Sequence, residues 1–221
     1  MIRKTILLAG AAALGILAQP ALAQEASTPV RGKQAGDFMI GASVIGVLPT
    51  NGGSVDVIGG TPEASNAFTG QLDFTYFFTP NFSVNLIAAT TRHDLEARNT
   101  ALGTVDLGHV WALPPTLTLQ YHPLPAERFS PYVGVGLNYT LFYSEGGGRN
   151  AAVTDVDVRN SWGVALNAGF DVELAPNWLL NVDLKWIYME PDAVVSTAIG
   201  RIDATANINP FVVGVGVRYR F

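Results

Sequence analysis

Pro210-Phe211-Val212-Val213-Gly214-Val215-Gly216-Val217-Arg218-Tyr219-Arg220-Phe221, the last stretch of the chain, decides the fold. One face reads Phe211, Val213, Val215, Val217, Tyr219, Phe221, and the other reads Pro210, Val212, Gly214, Gly216, Arg218, Arg220. Alternation at every second residue is the period of a strand with two unlike faces. A continuous oily face opposite one that is small or charged suits a strand in a transmembrane β-barrel, where the apolar side meets lipid.

The other end of the chain agrees. Met1 to Ala23 carries Arg3 and Lys4, an apolar run from Ile6 to Ala18, then Pro20 and Ala21-Leu22-Ala23. This is the pattern of a secretory signal, with cleavage expected before Gln24. The run is shorter than the roughly 20 residues that a membrane-spanning helix needs. Since later segments carry no longer uninterrupted run, a membrane crossing by the mature chain requires a closed barrel, the other arrangement that pairs every backbone group in lipid. The expected organisation is a signal peptide over 1–23, a periplasmic N-terminal segment over 24–36 and an outer-membrane barrel over 37–221, in the Gram-negative cell envelope.

Composition narrows the function. The chain is 48% hydrophobic and 14% charged, with a net charge of −5, and loss of Arg3 and Lys4 with the signal makes it more acidic. A basic nucleic-acid surface is thereby excluded. With 0 cysteines, the chain offers neither disulfides nor thiolate metal sites.

Eight stretches alternate with period two, near Asp37 to Leu48, Phe68 to Phe78, Phe82 to Arg92, Thr116 to His122, Tyr132 to Tyr143, Ser161 to Leu174, Trp178 to Met189 and Ile208 to Phe221. Thr79-Pro80-Asn81 and Ala175-Pro176-Asn177 are short turns, Pro123 to Pro131 is a slightly longer one, and the remaining four connections are long. Short turns on one rim and long loops on the other describe an eight-stranded antiparallel up-and-down barrel with both termini on the periplasmic side. In the seventh strand Trp178, Leu180, Val182, Leu184, Trp186 and Tyr188 share one face, opposite Asn181, Asp183 and Lys185. A soluble lipocalin-like barrel would turn those aromatics inward. Trp178, Trp162, Tyr188 and Tyr143 fall near strand ends, where a membrane girdle places them.

The stretches Leu113-Pro114-Pro115-Thr116-Leu117-Thr118-Leu119-Gln120-Tyr121-His122, Pro131 to Thr140, Asn177 to Asp183, and Asn209-Pro210 leading to Arg218-Tyr219-Arg220-Phe221 together resemble the OmpW family of small outer-membrane proteins. The resemblance implies an eight-stranded barrel with a narrow hydrophobic channel, passage of small hydrophobic molecules and sideways exit between strands. It also brings phage or bacteriocin binding at the loops. The terminal Phe221 is expected to engage the barrel-assembly machinery, with outer-membrane lipid around the wall.

Parity assigns the lumen. Near the short turns the inward positions include Asp73, Asp171, Glu173, Asp183, Lys185, Arg218 and Arg220, a polar plug or, more simply, a charged core network that closes the barrel. An eight-stranded barrel is little wider than its side chains. Toward the long loops the inward residues become Ile45, Val47, Ile87, Ala89, Phe142, Ile187 and Met189, an apolar channel lining or a complete filling. Pro210 is the candidate for a lateral opening, or an ordinary proline at a strand start. If the barrel is filled, the alternative is a receptor, adhesion or structural protein acting through its loops.

Catalysis is not expected. The histidines are His93, His109 and His122; His93-Asp94 with Glu96 lacks a nucleophile tied to it by spacing. His109 and His122 fall on opposite sides of the membrane. Gly146-Gly147-Gly148 lacks the lysine and the strand-to-helix setting of a phosphate loop. No cofactor and no metal are expected.

Overall fold

The computed structural model describes residues 29–55, 59–101, 103–146, 153–197 and 200–221; the expected signal segment and Gly147-Gly148 lie outside the described residues. Eight strands form the barrel: β1 (Phe38–Leu48), β4 (Ala67–Phe77), β5 (Phe82–Ala89), β8 (Thr116–Tyr121), β9 (Phe129–Gly146), β11 (Ser161–Ala175), β12 (Trp178–Met189) and β15 (Phe211–Arg220). The other strands belong to the long connections: β2 (Gly53–Val55), β3 (Thr61–Ala64), β6 (Thr91–Thr100), β7 (Gly103–Leu113), β10 (Val153–Val158), β13 (Asp192–Thr197) and β14 (Gly200–Ala206).

Each barrel strand pairs antiparallel with the next, and the ring closes between first and last, with Met39 opposite Arg220 and Leu48 opposite Phe211. Closure leaves no unpaired edge in lipid, which is what the bilayer demands of a sheet. Burial alternates residue by residue, as in β5, where Ser83, Asn85, Ile87 and Ala89 are enclosed and Phe82, Val84, Leu86 and Ala88 are exposed. The large side chains of the outer face, among them Leu72, Leu117, Val133, Leu137 and Val215, are more than half open to the surroundings. In water such a surface would drive aggregation; in a bilayer it is the solvated face.

Aromatics form two girdles. On the short-turn rim Trp178 meets Tyr219 at 5.0 Å between ring centroids, Tyr219 meets Phe221 at 4.8 Å, and Phe82 meets Tyr121 at 5.1 Å. On the opposite rim Tyr139 packs on Trp162 at 4.7 Å and Trp111 on Tyr143 at 6.4 Å. Rings with an apolar body and a polar tip settle at the two lipid–water boundaries.

The structure departs from the expected elements at several strand ends; β9 runs on to Gly146 and β15 begins at Phe211 rather than Ile208. The third strand stops at Ala89 rather than Arg92, and the chain resumes as β6 after a break at Thr90. The fifth begins at Phe129 rather than Tyr132, so Pro131 lies inside it. Pro131 falls beyond the last β8–β9 pair, Tyr121 with Val133, at an edge where a missing amide hydrogen is tolerated.

The long connections are themselves sheet. β10, β13, β14 and β2 pair in that order, and β3, β6 and β7 continue upward from β9. Ala97, Val105, Leu107, Val110, Val158 and Val195 bury together between them, giving the barrel an extracellular cap with its own small apolar core.

Candidate functional site

The short-turn half of the lumen is filled by paired charge. Arg218 donates to Asp73 at 2.9 Å and to Asp171 at 3.0 Å, and Arg220 donates to Glu173 at 3.0 Å. Lys185 bonds Asp183, whose other oxygen accepts from Tyr132 Oη at 2.8 Å and Asn167 Nδ2 at 2.7 Å. Asn181 ties Tyr132 to Asp171, donating to each at 2.9 Å. The seven charged residues assigned to this zone by parity, Asp73, Asp171, Glu173, Asp183, Lys185, Arg218 and Arg220, are all buried, with Arg220 and Glu173 forming a second cluster beside that of Arg218. Buried charge on this scale is tolerated only when every group is paired and hydrogen-bonded.

Part of the N-terminal segment joins these clusters. Lys33 Nζ reaches Asp171 at 2.7 Å, His122 Nδ1 at 2.8 Å and Ser130 Oγ at 2.9 Å. The backbone amides of Arg31 and Gly32 donate to the Glu173 carboxylate at 2.7 and 3.2 Å, and the Gly32 carbonyl accepts from Arg220 at 2.6 Å. Residues 31–33 are therefore tied by hydrogen bonds to lumenal side chains at the periplasmic mouth.

Two residues farther from the turns, the lumen changes character. Ile45, Val47, Ile87, Ala89, Ile187, Met189 and Val212 form one buried apolar cluster, with Phe142 packed against it. They surround a cavity of about 60 Å³, whose wall also includes Ala64, Leu95, Val110, Ala112, Pro114 and Pro210 and, as polar members, Gln71, Thr91, His93 and Thr140. All seven apolar positions assigned to the channel lining from sequence border this space. A second apolar space of about 50 Å³ lies under the extracellular cap and shares Ala64, Leu95, Val110, Phe142 and Ile208 with the first. Phe142 packs against both the barrel cluster and the cap core, so its ring stands between the two spaces.

This eight-stranded barrel, with its ionic floor, apolar chambers and lipid-facing exterior, is matched over residues 34–221 by the OmpW family model. The chain belongs to the OmpW family. It is 36% identical over 208 residues to outer membrane protein W of Vibrio cholerae, covering 90% of this chain and 95% of that one. The crystal structure of the outer membrane protein OprG from Pseudomonas aeruginosa superposes with a TM-score of 0.81 at 27% identity, over 87% of this chain and 99% of that one. The dibenzothiophene metabolism operon protein PahQ of Pseudomonas aeruginosa is 26% identical over 165 residues, covering 75% of this chain and 77% of that one. This OmpW-family protein is thus an outer-membrane barrel of the Gram-negative envelope and not an enzyme.

The wall of the OmpW-family barrel is interrupted beside the cavity. Ile87 pairs with Thr116 and Thr91 with Ala112, but between those two pairs Ala88–Thr90 and Leu113–Pro115 form no ladder pairs with each other, although Ala88 and Ala89 stay paired to β4 and Leu113 to β9. Pro114 and Pro115 carry no amide hydrogen, and the Pro114 carbonyl is occupied by the hydroxyl of Thr116 at 3.0 Å. Ala89, Ala112 and Pro114 border both this interval and the cavity. Outside it, the hydroxyls of Thr90 and Tyr143 bond to each other.

Pro210 occupies a different setting. It is buried and lines the cavity, yet the backbone bonds run on around it: Ile187 N donates to the Pro210 carbonyl at 3.1 Å and Thr50 N to the Ile208 carbonyl at 2.8 Å. The wall is bonded there, whereas Leu113–Pro115 pairs with β9 on one side and has no ladder partner on the side of Ala88–Thr90.

Sequence reasoning missed several members of the site. Parity over the barrel strands could have found Gln71, Thr140, Asn85 and Tyr132, whose inward rows were already assigned. Lys33, His93 and Leu95 lie outside those strands, and their place depends on how the N-terminal segment and β6 fold back. His93 borders the cavity, bonded to the Ser65 carbonyl at 2.7 Å and to Thr91 Oγ1 at 2.9 Å, while His109 sits in the cap and His122 in the floor.

Proposed function

We propose that this OmpW-family barrel passes small apolar molecules by diffusion from its extracellular cap into the lumenal cavity, and from there sideways through the wall interval at Ala88–Thr90 and Leu113–Pro115. The observation that carries this reading is the juxtaposition of an apolar cavity, a buried ionic floor and a gap in the ladder between two neighbouring segments of the wall. A solute that reaches the cavity finds charge below and lipid beside it. The family relative named for a dibenzothiophene metabolism operon, whose namesake compound is a fused apolar aromatic, supports the same chemical class.

The energetics suit passage rather than storage. Burying roughly 200 Å² of solute surface is worth about 5 kcal/mol, and association costs consume much of that. What remains corresponds to weak, readily reversible binding. A cavity with free volume favours this reading over a filled barrel that acts through its loops alone.

The test uses purified protein in liposomes with lipopolysaccharide on the outer leaflet, so that the lipid itself resists apolar solutes. Uptake of an apolar aromatic and conductance of a small ion are compared in the wild type and in an Ile87→Trp, Ala89→Trp variant. Apolar uptake well above protein-free liposomes, abolished by the tryptophans, with little ion conductance, is expected. Uptake no greater than through protein-free liposomes would remove the proposal and leave the loops as the functional surface.

A further inference from the structure

The cavity is not uniformly oily. Gln71 lies on its wall, 6% exposed, with Ser43 opposite on β1 and Ala89 opposite on β5. Its amide bonds Ser43 Oγ at 3.3 Å through Nε2, whereas Oε1 is buried and has no partner among the described residues. The other polar groups facing the space are engaged: His93 with Ser65 and Thr91, and Thr140 with Asn138 Oδ1 at 2.8 Å. Two residues nearer the turn, Asp73 already belongs to the Arg218 network. Gln71 therefore stands at the junction of oil and charge with one edge of its amide unused.

An unpaired buried amide edge is costly when nothing meets it. A serine hydroxyl can bond either end of an amide, so one edge stays free whichever way the oxygen and nitrogen are placed. A hydroxyl, which both donates and accepts, satisfies that edge in both orientations. A hydrocarbon satisfies neither.

We propose that the cavity selects apolar molecules bearing a single hydroxyl, alcohols or phenols, bound with the hydroxyl on the free amide edge of Gln71 and the hydrocarbon body against Ile45, Ile87 and Ile187. This rests on the cavity being the solute site and adds the class of solute. The arrangement follows a general rule: a site built to bond a hydroxyl rejects the analogue that lacks one, because the site's polar group is left bare.

Benzyl alcohol and ethylbenzene, matched in shape and differing at one heavy atom, separate the two cases. Their binding to the full barrel in lipid nanodiscs is followed through the isoleucine methyl resonances, in the wild type and in Gln71→Met. Partition into lipid is common to both proteins and cancels in the ratio. The expected result is that Gln71→Met weakens benzyl alcohol about tenfold and leaves ethylbenzene within about twofold. A Ser43→Ala variant, which keeps the amide, retains the alcohol preference and guards against a folding artefact in Gln71→Met. If Gln71→Met alters both solutes alike or neither, the hydroxyl preference is overturned while the apolar cavity stands. If neither solute moves the methyls of the wild type, the cavity reading fails and this one with it.

Discussion

Arg218 shows how much of the barrel depends on single buried charges. Its guanidinium serves Asp73 and Asp171 at once, and all three side chains are nearly inaccessible. Removing one partner strands the other, so Arg218→Met is expected to cost about 3–5 kcal/mol, measured as a lowered urea midpoint for the protein folded in lipid vesicles. Adding Asp73→Asn should recover part of that loss, because the penalty lies in the bare carboxylate. Gly41 belongs to the same cluster, since a Cβ there would overlap the Asp73 carboxylate. His93 is a buried titratable residue in the extracellular part. Burial holds its imidazole below the ordinary value of 6.5, against the opposing pull of the Ser65 carbonyl and the Asp94 charge. The unfolded chain takes up the proton more readily, so the contribution is whole above pH 6.5 and is lost as pH falls through the lower folded value. The thermal midpoint should drop between pH 7.5 and 5 by more in the wild type than in His93→Gln.

Among the elements, the break between β5 and β6 and its counterpart between β7 and β8 matter most. Two prolines in succession on one side and a change of strand at Thr90 on the other leave the interval without ladder bonds. Pro114→Ala restores an amide beside the cavity wall. It is expected to slow apolar uptake severalfold while leaving binding to the cavity intact, which parallel flux and methyl-shift titrations would resolve. Unchanged flux would place the exit elsewhere in the wall. The N-terminal residues 31–33 act as an element too, although they form no strand: their amides, a carbonyl and Lys33 complete bonds to His122, just after β8, and to β9, β11 and β15 inside the mouth.

At the scale of the whole molecule, the barrel divides along its axis into an ionic floor, an apolar chamber and a capped outer chamber. Strand number, facing and both rims were legible in the sequence, because a period-two pattern fixes which side chain meets lipid and which meets the lumen. Asp171 and Ile187 are assigned to opposite ends of the lumen by counting residues from the turns, and both lie where counting puts them. Three features were not legible. Lys33 enters the floor from a segment without alternation, the cap strands β2, β3, β10, β13 and β14 come from stretches whose apolar pattern is broken by glycine and charge, and the gap in the ladder lies between Ala88–Thr90 and Leu113–Pro115 while backbone bonds continue around Pro210. Local pattern reports the two faces of one strand. Whether a lumen is full, which amide edge of Gln71 is unmet and which strands part beside it depend on side chains and backbones far apart in the chain, and only closure of the barrel brings them together.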